Sequence, residues 1–376
     1  MKKRNENMKP IRVLHMIGSL NLGGSQALIM NIYRNIDRTQ IQFDFIIDHP
    51  SMNYYQDEIE RLGGRVYSFP TFTGRNVRNV RNEWDKFFKE HVEYSIIHFH
   101  VRSYISLLIP IAKRYGLITI SHSHSISNGL GLKSKIKNLL QIPIRYQADY
   151  LFACSKEAGE WLFGKAAIKK GNFHIIKNAI DGKKFKFDTR IRTTTRKKLD
   201  ISNDCLVLGN VGRITEAKNQ EFLIDILHNL ISKSENIKLI VVGDGENKSK
   251  LKQKIDYLSL NNHCLLVGSN EFAETYLNAM DFFIFPSFWE GLGMAAIEAQ
   301  ANGLFCFISN TVPKEVDIKA DLVSFLPLEE GAEFWANKII NSKIVPRSDK
   351  TNYLKKSEYL IDDTVAFFET FYKEIS

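Results

Sequence analysis

The stretch Phe282–Gln300, FFIFPSFWEGLGMAAIEAQ, joins a predicted strand to a predicted helix. Its first residues are an apolar run that ends at Pro286, and its last seven, from Met294, are strong helix formers. Gly291 and Gly293 lie in the loop between them. In an open parallel α/β sheet, ligands bind at such strand-to-helix junctions. The stretch therefore predicts a doubly wound sheet with a ligand site after this strand.

Strand-like apolar runs recur on both sides of this stretch, with helical patterns between them, and this alternation predicts parallel sheets covered by helices. The expected strands of the first half are 11–17, 43–47, 95–100, 117–121 and 150–153, and those of the second half are 206–212, 238–243, 264–268, 282–285 and 305–309. We therefore expect an α/β protein with two Rossmann-like domains. The expected parts are residues 1–182 and 201–355, a basic interdomain region 183–200, and a C-terminal helix 356–376.

The composition is that of a globular protein. The chain has 376 residues, of which 44% are hydrophobic and 25% charged, and 51 Lys and Arg against 42 Asp and Glu give a net charge of +9. This excess of positive charge favours anionic partners. The four cysteines lie far apart and beside apolar residues, which predicts buried thiols in a reducing compartment. We see neither a secretory signal nor an apolar run long enough to span a bilayer, so we expect a cytoplasmic protein.

The loop after Phe285 has the features of a phosphate site. Its glycines let the backbone approach a ligand, and free N–H groups at a helix start favour a diphosphate, so residues 291–294 (Gly291, Leu292, Gly293 and Met294) are candidate donor ligands. Glu290 and Glu298 lie eight residues apart, a spacing that suits sugars on both sides of a diphosphate. The alternative is a helix with a solvated acidic first turn.

Two further loops follow predicted strands of the second half. Arg213 and Lys218 offer a guanidinium fork and a mobile ammonium that together could neutralise a diphosphate without a metal, although two solvated cations are the simpler interpretation. Gly243 and Asp244 begin a Gly-Asp-Gly turn, which is also common where strands merely end. Neither G-x-G-x-x-G nor a P-loop occurs, which disfavours a dinucleotide dehydrogenase or a nucleoside triphosphatase.

In the first half, Gly23 and Gly24 follow the opening strand and can bring backbone amides close to the same ligand. His122 and His124 follow the strand 117–121. These two histidines allow three interpretations: a metal site, for which no third Asp, Glu or Cys ligand stands nearby in sequence, a buried structural histidine, or a polar pair facing a cleft.

Taken in order, these segments resemble the family 4 retaining glycosyltransferases of the GT-B fold, over most of the chain. The features that match the family are Gly23-Gly24, Ala148-Asp149-Tyr150 through Cys154-Ser155, Asn178-Ala179-Ile180-Asp181, Gly212-Arg213 with Lys218, Gly243-Asp244-Gly245, and Pro286-Ser287 followed by Glu290 and Glu298 as E-x7-E. Together they are far more specific than any one alone.

The resemblance implies a role for each matched residue. Glu298 would bind the ribose of a nucleotide sugar, Glu290 would lie near the transferred sugar, and Arg213 with Lys218 would stabilise the departing nucleoside diphosphate. His122 would contact the transferred sugar, with His124 as its rival. The GT-B fold implies two sheets that face each other across a cleft. It also implies that the C-terminal helix 356–376, whose aromatic face needs a partner, returns to the first domain. The family's chemistry implies no cofactor and no metal.

Two positions depart from the family pattern. Ala179 stands where relatives have glycine, which puts the backbone geometry there in question, and Gly303-Leu304-Phe305 replaces the usual G-x-P after the E-x7-E helix. Neither departure changes a proposed catalytic group.

The resemblance places the acceptor in the first domain. Two basic amphipathic stretches there, one with Arg75, Arg78 and Arg81 and one with Lys133, Lys135 and Lys137, suit a lipid diphosphate acceptor or peripheral contact with an anionic membrane. A solvated basic helix face is the alternative.

The sequence thus predicts a transferase that moves a sugar from a UDP- or GDP-linked donor, with UDP preferred, to a lipid-linked glycan in surface polysaccharide synthesis. A non-catalytic nucleotide-sugar-binding module and a sugar epimerase on the same scaffold are the alternatives. Nucleic-acid binding is disfavoured because the basic residues are not interleaved with stacking aromatics.

Overall fold

The structure, a computed structural model, describes residues 9–21, 23–49, 53–102, 104–124, 138–270 and 272–376. Its strands are β1 (Ile11–Ile17), β2 (Ile41–Ile47), β3 (Val66–Ser68), β4 (Ile96–Phe99), β5 (Ile118–Ser123), β6 (Tyr150–Ala153), β7 (Phe173–Ile175), β8 (Leu206–Val211), β9 (Ile237–Val242), β10 (Cys264–Gly268), β11 (Phe282–Phe285), β12 (Phe305–Ser309) and β13 (Val323–Leu326). The stretch Lys133–Lys137, one of the two basic stretches, lies outside the described residues.

Helices connect these strands and cover the sheets. The α-helices are α1 (Gly24–Asn35), α2 (Gln56–Arg61), α3 (Val77–Glu90), α4 (Ile105–Arg114), α5 (Ile144–Gln147), α6 (Lys156–Phe163), α7 (Thr189–Lys198), α8 (Gln220–Ile231), α9 (Lys248–Tyr257), α10 (Ala273–Ala279), α11 (Met294–Ala301), α12 (Gly331–Ile340), α13 (Thr351–Lys356) and α14 (Ile361–Ile375). Single 3₁₀ turns occur at Ala167–Lys169, Glu216–Lys218 and Lys314–Val316. Within the described part of the chain, no helix is both long and apolar enough to cross a lipid bilayer.

The strands form two parallel sheets. The first has the order β3-β2-β1-β4-β5-β6-β7 and the second the order β10-β9-β8-β11-β12-β13. In each sheet the strand order reverses next to the first strand, β1 or β8, and such a reversal is where Rossmann-like sheets bind ligands. The predicted α/β class with two Rossmann-like domains is confirmed.

The chain divides into two compact units, Met1–Ile180 with Ile361–Ser376 and Asp181–Leu360. These limits differ from the expected ones, because residues 183–200 do not form a separate interdomain region. Their helix α7 belongs to the second unit, where Arg192 and Arg196 bind the carboxylate of Asp281 at 2.6 and 2.7 Å. Residues 356–360 also belong to the second unit, so the returning helix begins at Ile361.

Two apolar layers cover the first sheet. Val13 of β1 packs with α1 and α14 on one face, whereas its neighbour Leu14 packs with α3 and α4 on the other. This alternation follows from the two-residue period of a strand. Phe368, Phe371 and Tyr372 of α14 are buried in the first layer, which confirms the expected return of the C-terminal helix.

Candidate functional site

The loops after β8 and β9 touch at the carboxyl edge of the second sheet. The amide of Gly212 donates to the carbonyl of Val242 at 3.0 Å, and the amide of Ile214 donates to the carbonyl of Asp244 at 2.9 Å. A Cβ on Gly243 would lie only 1.9 Å from the carbonyl oxygen of Gly212. The Gly-Asp-Gly turn is therefore needed for the approach of two backbones, whatever else it does.

Asp244 has partners within its own turn. One carboxylate oxygen accepts from the amide of Gly245 at 2.8 Å, and the other is 2.6 Å from the ammonium of Lys248. The hydrogen bond from Lys248 is the largest cause that lowers the pKa of Asp244. These contacts support the simpler interpretation of a strand-ending turn, and its role as a donor ligand stays a prediction.

Lys218 and Glu290 form an ion pair that the sequence did not predict. The Lys218 Nζ is 2.6 and 2.7 Å from the two carboxylate oxygens of Glu290, and the Ser287 hydroxyl donates to the same carboxylate at 2.7 Å. The Glu290 side chain is only 8% exposed. Glu290 is thus held in one orientation by partners from two different loops.

Arg213 is placed differently from Lys218. Its side chain is 75% exposed, and its nearest described anionic partner is Glu246 at 3.4 Å. An exposed pair of this kind contributes little to stability. The interpretation of solvated cations thus fits Arg213 as the structure has it, and does not fit Lys218.

The helix α11 begins without a side-chain cap. Its N-cap, Gly293, has a φ of +96°, a left-handed conformation that favours glycine, and a Cβ there would lie 3.0 Å from a ring carbon of Phe285. Leu292 and Met294 are half-buried, whereas Gly291 is exposed with open space around it. The first amides of α11 lack intrahelical partners and are a suitable site for an anion.

Glu298 lies one turn inside α11 and is partly buried. Desolvation raises the pKa of its carboxyl group to about 7, Lys184 and Lys218 lower it, and Glu274 raises it further. No described side chain donates a hydrogen bond to this carboxylate. The alternative of a solvated acidic first turn is wrong, since the first turn of α11 has no acidic residue and Glu290 is buried.

In the first unit, Gly23 is the N-cap of α1 and Gly24 is its first residue. Gly23 has an extended backbone, and its carbonyl accepts from the amide of Ala27 at 2.8 Å. No side chain caps this helix start, and a Cβ on Gly24 would meet nothing within 4 Å. The role of this glycine pair as a donor contact stays a prediction.

His122 and His124 belong to a larger cluster. The structure brings His15 of β1, together with His98 and His100 at the end of β4, against them, and the ring centroids of neighbouring members lie 4.0 to 5.5 Å apart. Burial lowers the pKa of all five imidazoles, to about 4 for His124, so they are neutral at pH 7. The structure thus adds three histidines to this pair, from strands that lie near it in the sheet and not beside it in sequence.

The sequence contained a signal for this cluster. Histidines at 98 and 100 repeat the H-x-H spacing of 122 and 124 on the preceding predicted strand, and parallel neighbours in a sheet place such pairs side by side. Which of His122 and His124 contacts a sugar stays a prediction.

Comparisons with known proteins decide the family. The model described as "Glycosyltransferase Family 4" matches residues 22–184, and the model described as "Glycosyl transferases group 1" matches residues 191–341. Bacillus subtilis EpsF, a protein named as a glycosyltransferase, is 31% identical over 359 residues, which cover 93% of this chain and 92% of EpsF. The chain belongs to the family 4 glycosyltransferases.

Two further similarities extend this assignment. The Escherichia coli UDP-Gal:alpha-D-GlcNAc-diphosphoundecaprenol alpha-1,3-galactosyltransferase is 25% identical to this glycosyltransferase over 337 residues, 84% of each chain. The crystal structure of Anabaena HepE in complex with UDP and glucose matches with a TM-score of 0.75 at 17% identity, and covers 97% of this chain and 100% of HepE. The second likeness concerns the fold, and it confirms the expected GT-B class.

Proposed function

We propose that this family 4 glycosyltransferase moves a sugar from a UDP-linked donor to a lipid-linked glycan in polysaccharide assembly, with retention at the anomeric carbon and without a metal in the reaction. The observation that carries the proposal is a group of side chains at the carboxyl edge of the second sheet. Here the uncapped start of α11 lies between the Lys218–Glu290 ion pair and the unpaired Glu298. A diphosphate flanked by two sugars is the ligand that such a group recognises.

Glu298 has the properties of a ribose ligand. Its carboxylate is desolvated and accepts no hydrogen bond from the described residues. Two vicinal hydroxyls of a ribose would donate the hydrogen bonds that this carboxylate lacks, and such charge-assisted bonds are strong in a desolvated setting. The diphosphate then extends along the amides of residues 291–294, which include both glycines.

The leaving group needs cationic stabilisation. As the bond between the anomeric carbon and the phosphate oxygen breaks, negative charge grows on the diphosphate and positive charge on the sugar. Lys218, already held beside the start of α11 by Glu290, and Arg213, which is exposed and weakly paired, are assigned to the phosphate side. Glu290 lies near the transferred sugar.

A metal is not required in this scheme. The acceptor hydroxyl attacks the anomeric carbon on the face that the phosphate leaves, and its proton passes to the departing phosphate oxygen. One C–O bond breaks and one forms, and the products are the extended glycan and a nucleoside diphosphate. The roles of Gly23, Gly24, His122 and His124 as donor contacts rest on the family resemblance.

The assignments of donor and acceptor are supported by the relatives. The Escherichia coli relative is named for a UDP-galactose donor and a diphosphoundecaprenol-linked acceptor, and HepE was crystallised with UDP. Arg75, Arg78 and Arg81 are exposed on or just before α3, whereas Val80 and Trp84 of the same helix are buried. Helix α3 thus presents positive charge to a membrane, whereas Val80 and Trp84 are buried and unavailable to it. Any membrane contact of α3 should therefore be electrostatic.

Donor binding tests the proposal directly. Ribose hydroxyls need the ionised form of Glu298, whose pKa is about 7, so the affinity for a UDP-sugar should rise ~10-fold between pH 6 and pH 8. Isothermal titration with a panel of UDP- and GDP-sugars measures it. Glu298→Gln should bind weakly with no such pH dependence, and Glu329→Gln, at a residue outside the site, should behave as the wild type.

Product analysis then separates the possible activities. Transfer to a diphosphoundecaprenol-linked sugar with retained anomeric configuration, read by proton NMR, supports the proposal. An inverted product contradicts the mechanism, release of an epimerised sugar without acceptor supports the epimerase, and binding without turnover supports the non-catalytic module.

A further inference from the structure

The histidine cluster occupies one face of the first sheet. His15 is in register with His98 on the neighbouring strand, and His122 at the end of β5 and His124 just after it lie beside β4. Two hydrogen bonds link three of the rings in a row. The His15 Nδ1 is 2.9 Å from the His100 Nε2, and the His100 Nδ1 is 2.8 Å from the His124 Nε2.

Several nitrogens of this cluster have no hydrogen-bond partner among the described residues. Both ring nitrogens of His122 and the Nδ1 of His124 are buried and unpaired, and so are the Nε2 atoms of His15 and His98. A buried polar atom without a partner costs about 1–3 kcal/mol, and native structures usually satisfy such atoms with a water or an ion. The unpaired His122 nitrogens, next to the His100–His124 pair, point to a ligand that accepts lone pairs at this place.

We propose that His100, His122 and His124 bind a divalent transition-metal ion, Zn²⁺ in the first instance. One nitrogen from each ring lies within 4.8 Å of one nitrogen from each of the others. His122 is in β5 and His124 directly follows it, whereas His100 directly follows the neighbouring strand β4. Three imidazoles with an open fourth position for water are a recognised zinc ligand set.

His15 supplies the outer contact that such a site needs. A metal-binding histidine usually donates its other ring N–H to a fixed acceptor. When the His100 Nε2 carries the proton and donates to the His15 Nδ1, the His100 Nδ1 presents a lone pair toward His124. At Zn–N distances of about 2.0–2.1 Å, tetrahedral ligands lie about 3.3 Å apart, so the 2.8 Å separation needs to open by only a few tenths of an ångström.

A second group, His15, His98 and His100, also has one nitrogen from each ring within 4.8 Å of the others, but it is a poorer site. A cavity of about 10 Å³ borders histidines of both groups, and on the side of His15 and His98 it is lined by apolar side chains, among them Leu28, Ile29 and Phe43. An uncompensated dication in such surroundings is costly. His100 and His124 of the first group are partly exposed at the carboxyl edge of the sheet, which leaves access for the ion and its water.

The ligand chemistry selects the metal. Neither group includes a carboxylate or a thiolate. Imidazole ligands favour zinc, copper, nickel and cobalt, whereas magnesium, calcium and manganese need oxygen ligands. The positive charge of Arg102 acts on His124 and opposes a cation, so we expect an affinity on the order of 1 µM rather than that of a structural zinc site.

Metal titration of the untagged full-length chain tests the inference. After chelator treatment and dialysis, Zn²⁺ should bind at one equivalent in calorimetry, and Co²⁺ should give the intense visible absorption of a tetrahedral site. His122→Asn and His100→Gln should each weaken binding at least ~100-fold, since second-shell losses alone reach 10–100-fold. His228→Asn, at an exposed histidine of α8, should leave both signals unchanged.

Each outcome decides the question. Wild-type protein without a one-equivalent site, or with octahedral Co²⁺ spectra, overturns the inference, as does full affinity in folded His122→Asn. If both ligand variants fail to fold, the wild-type cobalt spectrum and the shifts of imidazole ¹⁵N resonances on Zn²⁺ addition decide it alone. Mg²⁺ should give no signal, because the site has no oxygen ligands.

The proposed metal site shares His122 and His124 with the proposed donor contacts, but its test does not depend on the transfer reaction. Binding is measured without substrate, so an inactive protein would leave the result intact.

Discussion

At Glu298, one feature, a desolvated carboxylate, bears on both the stability of the fold and the proposed function. Folding moves its carboxylate into a desolvated position without a hydrogen-bond donor from the described residues, which favours the protonated form. A carboxylate that merely stabilised the fold would be paired, as Glu290 is. The unpaired acid therefore lowers stability at neutral pH and leaves a strong acceptor for a ligand.

This energetic penalty predicts a pH dependence of stability. Between the unfolded pKa of 4.5 and the folded value of about 7, the folded chain binds more protons, so Glu298 lowers the free energy of unfolding as pH rises. The shift corresponds to at most ~3 kcal/mol. Glu298→Gln should unfold in urea at higher concentrations than the wild type at pH 8, and the difference should vanish near pH 4.5. Equal stabilities at pH 8 would contradict the assigned desolvation.

The ion pair between Lys218 and Glu290 makes a second prediction at the residue scale. Lys218→Met leaves a carboxylate that is 8% exposed without its cation, and we expect a loss of about 2 kcal/mol in the free energy of unfolding. The double variant with Glu290→Gln removes the uncompensated charge and should recover most of this loss. A double-mutant cycle in urea measures the coupling, and additive effects would show that the pair contributes nothing.

At the scale of elements, substitutions at two glycines distinguish a residue that the fold requires from one proposed to bind the donor. Gly243→Ala places a methyl group 1.9 Å from the carbonyl oxygen of Gly212, so one backbone has to move. We expect a loss of about 3 kcal/mol in the free energy of unfolding, or an insoluble protein.

Gly291 is exposed, and a Cβ there meets nothing within 4 Å. Gly291→Ala should keep the wild-type melting temperature but weaken UDP-sugar binding if a diphosphate passes over that backbone. Wild-type affinity would remove Gly291 from the site.

Sequence patterns found all the central strands and one edge strand, β10, and missed the other three edge strands. Ten strands were predicted, and β1, β6, β10, β11 and β12 match residue for residue. Buried strands of a parallel sheet are nearly continuous apolar runs, which makes them visible in the sequence. The missed strands β3, β7 and β13 all lie at sheet edges and are three or four residues long. A short, half-exposed strand has no apolar run to reveal it, and only its neighbour in space defines it.

The same limit applies to the candidate site. Motif spacing found Glu290, Glu298 and Lys218, since each follows a predicted strand at the sheet edge. It could not show that Lys218 and Glu290, 72 residues apart, neutralise each other, or that Glu298 has no such partner. It also missed His15, which joins the other histidines only through the pairing of β1 with β4. Long-range pairing of this kind is fixed by strand order, which spacing along the chain does not contain.

At the scale of the whole molecule, the first unit is built from two separate segments of the chain. Residues 361–376 return after the complete second unit, and α14 then packs on α1 and on the apolar face of the first sheet. The Tyr372 hydroxyl also pairs with the His98 Nδ1 at 2.8 Å. The fold of the first unit thus depends on residues 361–376, so that this unit can be completed only after the second unit has been synthesised.

This dependence predicts which part of the molecule loses stability when α14 is disrupted. Phe368 is 1% exposed in the layer between α14 and the first sheet, and Phe368→Ala should cost about 3–5 kcal/mol. Hydrogen exchange should speed up at the amides of β1 and β4, while those of β8 and β9, in the other unit, should keep their protection. Thr370→Ala, at an exposed position of the same helix, is the matched control and should change neither set. Equal loss of protection in both sheets would mean that the two units unfold as one cooperative body.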